Sequence, residues 1–243
     1  MNTQAHIFLD QNRIINETAT CRKQISLHKE NVLLPSPKLY NTLTGLQEIM
    51  LAPSATETIA LNKWLTYIVL PVEGAITCAT IVDQTTIAAG QVCVIGAKAS
   101  SDLILKNPFN DYLVNVLIIT VFNNRPTNVA YTYTYNNVNQ YINSLIPVLA
   151  NAQLFNKNIL GIKLGFFSGR GETVNPLIKN TASTTTVFVI QGAFEVDGKL
   201  LHQGDTLLVC NAPHLEMEAL SNHAILLLME TLSTKINTTH YLY

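Results

Sequence analysis

Histidine and cysteine are the side chains of this chain best suited to hold a metal or start nucleophilic chemistry, and their spacing restricts both. The six histidines are His6, His28, His202, His214, His223 and His240, with none between Lys29 and Leu201. His6, His28 and His240 fall in terminal or irregular stretches, where histidine meets metal ions adventitiously. His202 precedes a turn and His223 follows Ser221-Asn222, so both read as exposed loop residues. Cys21, Cys78, Cys93 and Cys210 have neither C-x-x-C spacing nor the density of a disulfide scaffold, and read as small core residues in a reducing compartment. Ser168-Gly-Arg-Gly-Glu172 could turn backbone amides towards a phosphate, but no helix pattern follows it, so a hairpin turn fits better. Glu48, Glu57, Glu73, Asp83 and Asp102 are scattered acids of the kind a solvated barrel surface carries, and there is no G-x-S-x-G, H-E-x-x-H or P-loop. The single tryptophan, Trp64, would alternate with Leu65 on a strand, where it would pack in a core or line a cavity.

The elements that would position these residues are short strands. In Thr186–Glu230, Val187 and Val189, then Phe194 and Val196, alternate with small or polar neighbours around Gln191-Gly192. Asp197-Gly198 is a hairpin dipeptide, and Gln203-Gly204-Asp205 makes the next turn. Thr206–Val209, Leu215–Ala219 and Ala224–Met229 supply three more apolar runs between turn residues, which is the pattern of a small antiparallel barrel. An earlier copy exists. Tyr67–Gly74–Ile76 parallels Phe188–Gly192–Phe194, Ala89-Gly90–Ile95 parallels Gln203-Gly204–Val209, and Val116–Thr120 answers Ile225–Met229. Two copies more than one hundred residues apart mean tandem domains of one fold rather than a solenoid. The recurring glycines sit where strands meet tight turns, which positive φ would explain. Leu46–Leu51 and Thr58–Leu61 read as further strands of the first barrel, and Val114–Phe122 as a buried strand. Between the copies, Val138, Tyr141, Ile142, Leu145 and Ile146 have helical spacing, with Asn136 or Asn137 as N-cap and Pro147 as stop. The division is therefore residues 1–135 for the first barrel, 136–147 for a helical linker and 148–243 for the second.

With these residues in place, the chain resembles a pirin-like bicupin, the group that includes bacterial quercetinase-type proteins. Val187–Glu230 resembles the second cupin over its length. Leu70-Pro-Val-Glu-Gly74, Ala89-Gly90-Gln-Val92 and Asn107-Pro-Phe109 resemble the first, and Ile7–Arg22 resembles the N-terminal arm. The resemblance implies an all-β fold of two tandem cupin (double-stranded β-helix, jelly-roll) barrels. It also implies a first cupin that binds a divalent transition metal through histidines and a glutamate, on the strands before Gly74 and after Gly90. Here Ala60–Tyr67 contains no His, Asp or Glu, and Lys98–Leu103 offers only Asp102. In the second cupin His214 lies near the last histidine of the general pattern, but Lys179–Thr185 lacks the partner His-x-His. No catalytic, cofactor or metal residue is assigned, and no cofactor is expected. Asn62, Trp64, Thr66, Asp102 and His214 are the candidates to line a cavity.

Composition limits the partners. Of 243 residues 48% are hydrophobic and only 13% charged, about half the usual charged share, so the surface is weakly charged. A net charge of −1 and no Lys/Arg cluster exclude a basic face for nucleic acid. No apolar run approaches membrane-spanning length and no secretory signal is apparent, so a cytoplasmic location is expected. Three functions from different classes fit: a non-catalytic bicupin that binds a small molecule or a protein, a metal-dependent dioxygenase of quercetinase type, and a structural or oligomer-forming protein. The missing histidine cluster weighs against the second, and a ligand-sized apolar cavity separates the first from the third. Apolar strands with few charges point to buried edges and a homodimer.

Overall fold

Strands such as Val114–Phe122 are apolar on both alternating faces, which in an antiparallel sheet requires that both faces be covered. The computed structural model describes residues 3–28, 42–81, 83–135, 141–150, 156–177 and 183–232, and it meets that requirement with four stacked sheets. The first large sheet runs, in spatial order, β12 (Val129–Thr134), β9 (Gln91–Gly96), β6 (Leu65–Glu73), β11 (Val114–Phe122), β4 (Leu43–Leu51), β3 (Cys21–His28) and β2 (Ile14–Glu17). Behind it lies a small sheet of β5 (Thr56–Leu61), β10 (Ser101–Lys106), β7 (Ala75–Ala79) and β8 (Gln84–Ala88). The second large sheet runs β1 (Gln4–Phe8), β19 (Thr206–Cys210), β16 (Ser183–Gln191), β21 (Ala224–Leu232), β14 (Ile159–Phe167) and β13 (Ser144–Ala150). Its small sheet holds β15 (Glu172–Pro176), β20 (His214–Ala219), β17 (Ala193–Val196) and β18 (Lys199–His202).

The period of two sorts the side chains into three cores. Tyr67 and Val69, Val116 and Ile118, Cys93 and Ile95 point into the first barrel. Val187 and Val189, Leu207 and Val209, Leu226 and Leu228 point into the second. The residues between them, Ile68 and Leu70, Leu117 and Ile119, Phe188 and Ile190, Leu227 and Met229, form one cluster where the two large sheets pack face to face. The barrels therefore share a continuous apolar layer. Two tandem double-sheet barrels of this kind are the bicupin architecture expected from the sequence.

The N-terminal arm does not stay with the strands that follow it. β1 pairs antiparallel with β19 of the second large sheet, with Ile7 opposite Leu207. The arm then turns through a 3-10 segment, Asp10–Asn12, into β2 of the first. Asp10 donates its amide to Asp205 Oδ1 at 2.7 Å, and a β-carbon at Gly204 (φ +85°) would overlap the Asp10 carboxylate.

The linker differs from its sequence reading. Asn136–Gln140 lies outside the described residues, but Tyr141–Pro147 is not helical. Ile142 makes a bridge to Phe166, Asn143 has a positive φ of 60°, and Ser144–Ala150 is strand β13. The apparent helical spacing comes from a short run, and tertiary packing overrides it. Val148 and Leu149 enter the layer between the barrels, and edge strand β13 has room for Pro147, which brings no N–H to a ladder. Ser168–Glu172 does turn, with Arg170 at φ 65°, but it is not a hairpin. β14 and β15 belong to different sheets, and the turn carries the chain from one to the other.

Gly74, Gly90, Gly192 and Gly204 all adopt positive φ, as their recurrence suggested. They differ in surroundings. A β-carbon at Gly192 (φ +81°) would overlap Ser221 Oγ, whereas at Gly198 (φ +71°) it would meet nothing within 4 Å. Gly192→Ala is expected to lose about 2–4 kcal/mol, strain plus collision, and Gly198→Ala only about 1 kcal/mol. Urea midpoints of the two variants check the contrast.

Candidate functional site

At the expected metal end of the first barrel, Tyr67 fills the space. It is 3% exposed. Its hydroxyl donates to Ala60 O at 3.1 Å and accepts from Asn62 N at 2.9 Å, and burial raises its pKa. The cavity-lining candidates are not brought together around it. Asn62 is exposed, and its Oδ1 accepts the Trp64 amide at 2.8 Å in the turn before β6. Trp64 is half-buried in that turn, not on a strand, with Lys63 Nζ 5.5 Å from its ring centroid. Thr66 is buried but alternates with Tyr67 and faces the layer between barrels, where Asn156 Nδ2 donates to its Oγ1 at 2.9 Å. Asp102 is an exposed residue on β10, opposite in direction to Leu103 and Leu105. His214 starts β20 on the outward face that Glu216 shares, 47% exposed, with Nε2 3.5 Å from Glu216 Oε1. His202 and His223 are exposed, as their sequence context indicated.

The thiols sit in cores. All four are buried. Cys78, in contact with the Cys93 sulfur and itself buried, is pushed well up, while the same contact lowers Cys93. Burial, and then the Glu57 carboxylate, raises Cys21 to about 11. A group whose folded pKa exceeds its unfolded value holds its proton better when folded, so its contribution is complete below pH 9 and is lost as pH rises towards 11. Buried Tyr67 and Tyr135, both raised by desolvation, act in the same direction. Melting temperature is expected to fall between pH 9 and 11, with a shallower fall in Cys21→Val.

Inward-facing polar groups appear instead at the matching end of the second barrel. Lys163 Nζ lies 2.8 Å from Asn175 Oδ1 and 3.9 Å from Glu230 Oε1. Thr185 and Glu230 face each other across the β16–β21 ladder, both 3% exposed. Lys163, Thr185 and Glu230 occupy the fifth, third and seventh positions of three nine-residue strands. The same positions of the first barrel's nine-residue strands carry Gln47, Tyr67 and Thr120. The sequence reading passed over this cluster because its members are single polar residues on apolar strands with no local motif. Their signal is a change of character at inward positions between the two copies.

A separate cavity opens along the seam of the two large sheets. It has a volume of about 590 Å³, with Leu70, Pro71, Val72 and Tyr135 on one side and Leu164, Phe166, Ile190 and Ile225 on the other. Its origin lies in the ladders. β9 accompanies β6 only from Thr66 to Val69, so Leu70–Val72 lose that neighbour, and Pro71 needs no donor there. Across the seam, Ile190 is the residue left over where the β16–β21 register shifts between Val189 and Gln191. Tyr135 closes the base: its N donates to Gly90 O at 3.0 Å, and its hydroxyl accepts from Gly90 N at 3.1 Å. Phe166 and Ile225 also border an adjoining hollow of about 280 Å³ that includes Ser168, Gln191, Asn222 and His223.

The fold is shared with solved structures at low identity. YhhW from Escherichia coli superposes with a TM-score of 0.78 at 11% identity, covering 93% of this chain and 97% of its own. The same bacterial pirin in complex with nickel(II) gives 0.77 at 11%, covering 93% and 98%. A quercetin 2,3-dioxygenase from Acinetobacter baumannii gives 0.72 at 12%, covering 95% of this chain and 79% of its own. No protein-family model and no curated protein sequence matches the chain.

Proposed function

We propose that this bicupin is a divergent pirin-like protein acting as a non-catalytic binder of a small, largely apolar molecule, held in the seam between its barrels. The observation that carries this reading is the cavity of about 590 Å³, a size typical of small-molecule sites, with apolar walls and the Tyr135 hydroxyl as a polar group at its base. The barrels themselves offer less space, since Tyr67 in one and the Phe167–Phe194 pair in the other occupy their interiors.

The solved bacterial pirin in complex with nickel(II) raises the question of a similar ion here. A transition ion asks for several imidazole or carboxylate donors converging on one point. Among the described residues no three His, Cys, Asp or Glu side chains gather in that way. At the second barrel's polar end the carboxylate of Glu230 has an ammonium for a neighbour. This donor set does not fit a divalent metal, which supports a role without metal chemistry. A cytoplasmic location and action through a protein partner or as a homodimer belong to the same proposal. No described helix is long and apolar enough to cross a membrane.

A thermal-shift screen of small aromatic and aliphatic compounds tests the reading. A compound that raises the melting temperature of the wild type and loses about tenfold or more in affinity with Val72→Arg or Ile225→Arg supports it. Hits that bind both variants unchanged sink it. Metal at one equivalent per chain in untagged, dialysed protein would put the dioxygenase reading ahead of this one.

A further inference from the structure

We propose that the polar end of the second barrel is a carbonyl-binding site, in which Lys163 forms a reversible imine with an aldehyde or ketone and Glu230 carries the proton. The site is distinct from the seam between the barrels and goes beyond the reading given for it.

Three features of the barrel carry the proposal. The first is placement. Charged residues are scarce in this chain, at 13%, yet one lysine and one glutamate are turned into the same barrel interior. Gly161 and Gly165 stand on either side of Lys163 on the inward face, so Lys163 is the only side chain that β14 sends inward between its bulge and Phe167. The second is access. The Lys163 side chain is 29% exposed whereas that of Glu230 is 4% exposed, so a small molecule reaches the amine first, with the carboxylate behind it. The third is spacing. Asn175 Oδ1 holds Nζ at 2.8 Å, while Glu230 Oε1 at 3.9 Å is beyond hydrogen-bond range but one small movement from it. A tight structural ion pair would close that gap. Replacing such a pair by packed apolar residues is commonly neutral for stability, so stability alone gives no reason for it.

The charge balance selects the ligand. Glu230 already offsets the ammonium, so an anion gains little there, whereas a neutral carbonyl meets no repulsion. Glu230 takes one proton from the Lys163 ammonium, and the freed amine adds to the carbonyl carbon to give a carbinolamine. Glu230 then returns the proton to the hydroxyl, which departs as water and leaves a protonated imine paired with the Glu230 carboxylate. Leu215 and Leu228 line the apolar wall beside the cluster and favour the loss of water.

Propanal with sodium cyanoborohydride traps the imine as a propylated lysine, read by peptide mass spectrometry on the full-length protein. Lys163 is expected to be modified about tenfold or more faster than exposed Lys98 and Lys106, and Glu230→Gln to remove that lead while leaving the other two unchanged. Equal rates at all three lysines in the wild type overturn the proposal without recourse to any variant. An undiminished lead in folded Glu230→Gln overturns it as well. Glu230→Asp, which keeps the charge but draws the carboxylate back, is expected to give an intermediate rate and stands in if the glutamine variant does not fold.

Discussion

Arg13→Ala is expected to lower the unfolding free energy by about 3–5 kcal/mol, among the largest effects of any single substitution in this chain. The Arg13 side chain is 3% exposed. Nη1 and Nη2 each lie 3.2 Å from Glu48 Oε2, Nη2 donates to Gln24 O at 2.9 Å, and the guanidinium stands over the Phe188 ring at 5.7 Å. Arg13 thus ties the N-terminal arm to the first large sheet and covers an aromatic ring of the second. Removing it leaves Glu48, 13% exposed, with the 2.6 Å bond from Asn115 Nδ2 but no counter-charge. The exposed Asp10 partner contributes little. Arg13→Ala with Glu48→Gln should recover much of the loss, since it removes the stranded charge. Chemical denaturation of the two single variants and the double variant gives the coupling, and a purely additive pair would show that the ion pair is not the cause.

Phe194→Ala is the second large effect, at about 3–5 kcal/mol. Phe194 is fully buried in the second barrel, edge-on to Phe167 with centroids 5.4 Å apart and planes at 87°. Truncation leaves a void walled by Val196, Leu201, Met217 and Leu226. An apolar void of this kind stays dry and admits small apolar molecules. Benzene should therefore raise the melting temperature of Phe194→Ala by more than that of the wild type, whose seam cavity is also apolar. An equal shift in the two proteins would show that the void does not take up the ligand.

Asn107 gives a smaller third case, and a reason for one sequence motif. Wholly buried, it donates to the carbonyls of Leu51, Ala52 and Tyr112 and accepts the Phe109 amide at 2.9 Å, pinning the Asn107-Pro-Phe109 turn against the end of β4. Asn107→Ala should cost about 2–3 kcal/mol by leaving buried carbonyls unpaired, measurable as a lower urea midpoint.

Much of the fold was legible because β-structure writes itself locally. Val114–Phe122 could be read to the residue, since it is an apolar run ended by polar turns, and the paired glycines marked the same corner in both barrels. The linker was not legible. A few apolar residues in Val138–Ile146 satisfy a helical and an extended pattern alike, and the packing of Val148 and Leu149 between barrels decides for the strand. The site was less legible still. Trp64 drew notice as the lone residue of its kind, yet a turn holds it away from the barrel interior. Lys163 and Glu230, nearly seventy residues apart, become neighbours only through the β14–β21 ladder. The seam cavity depends on a missing strand neighbour and a register shift, neither of which has a signature in composition.

The pairing of β1 with β19 has a consequence for biosynthesis. Ile7 leaves the ribosome roughly 200 residues before Leu207, which at roughly 5–20 residues per second is a wait of roughly 10–40 s. Throughout that interval β1 waits for its partner strand, while the strands of the first barrel already have theirs. β1 is thus fixed late, and any ribosome that stops before Thr206 releases a product in which β1 lacks this ladder.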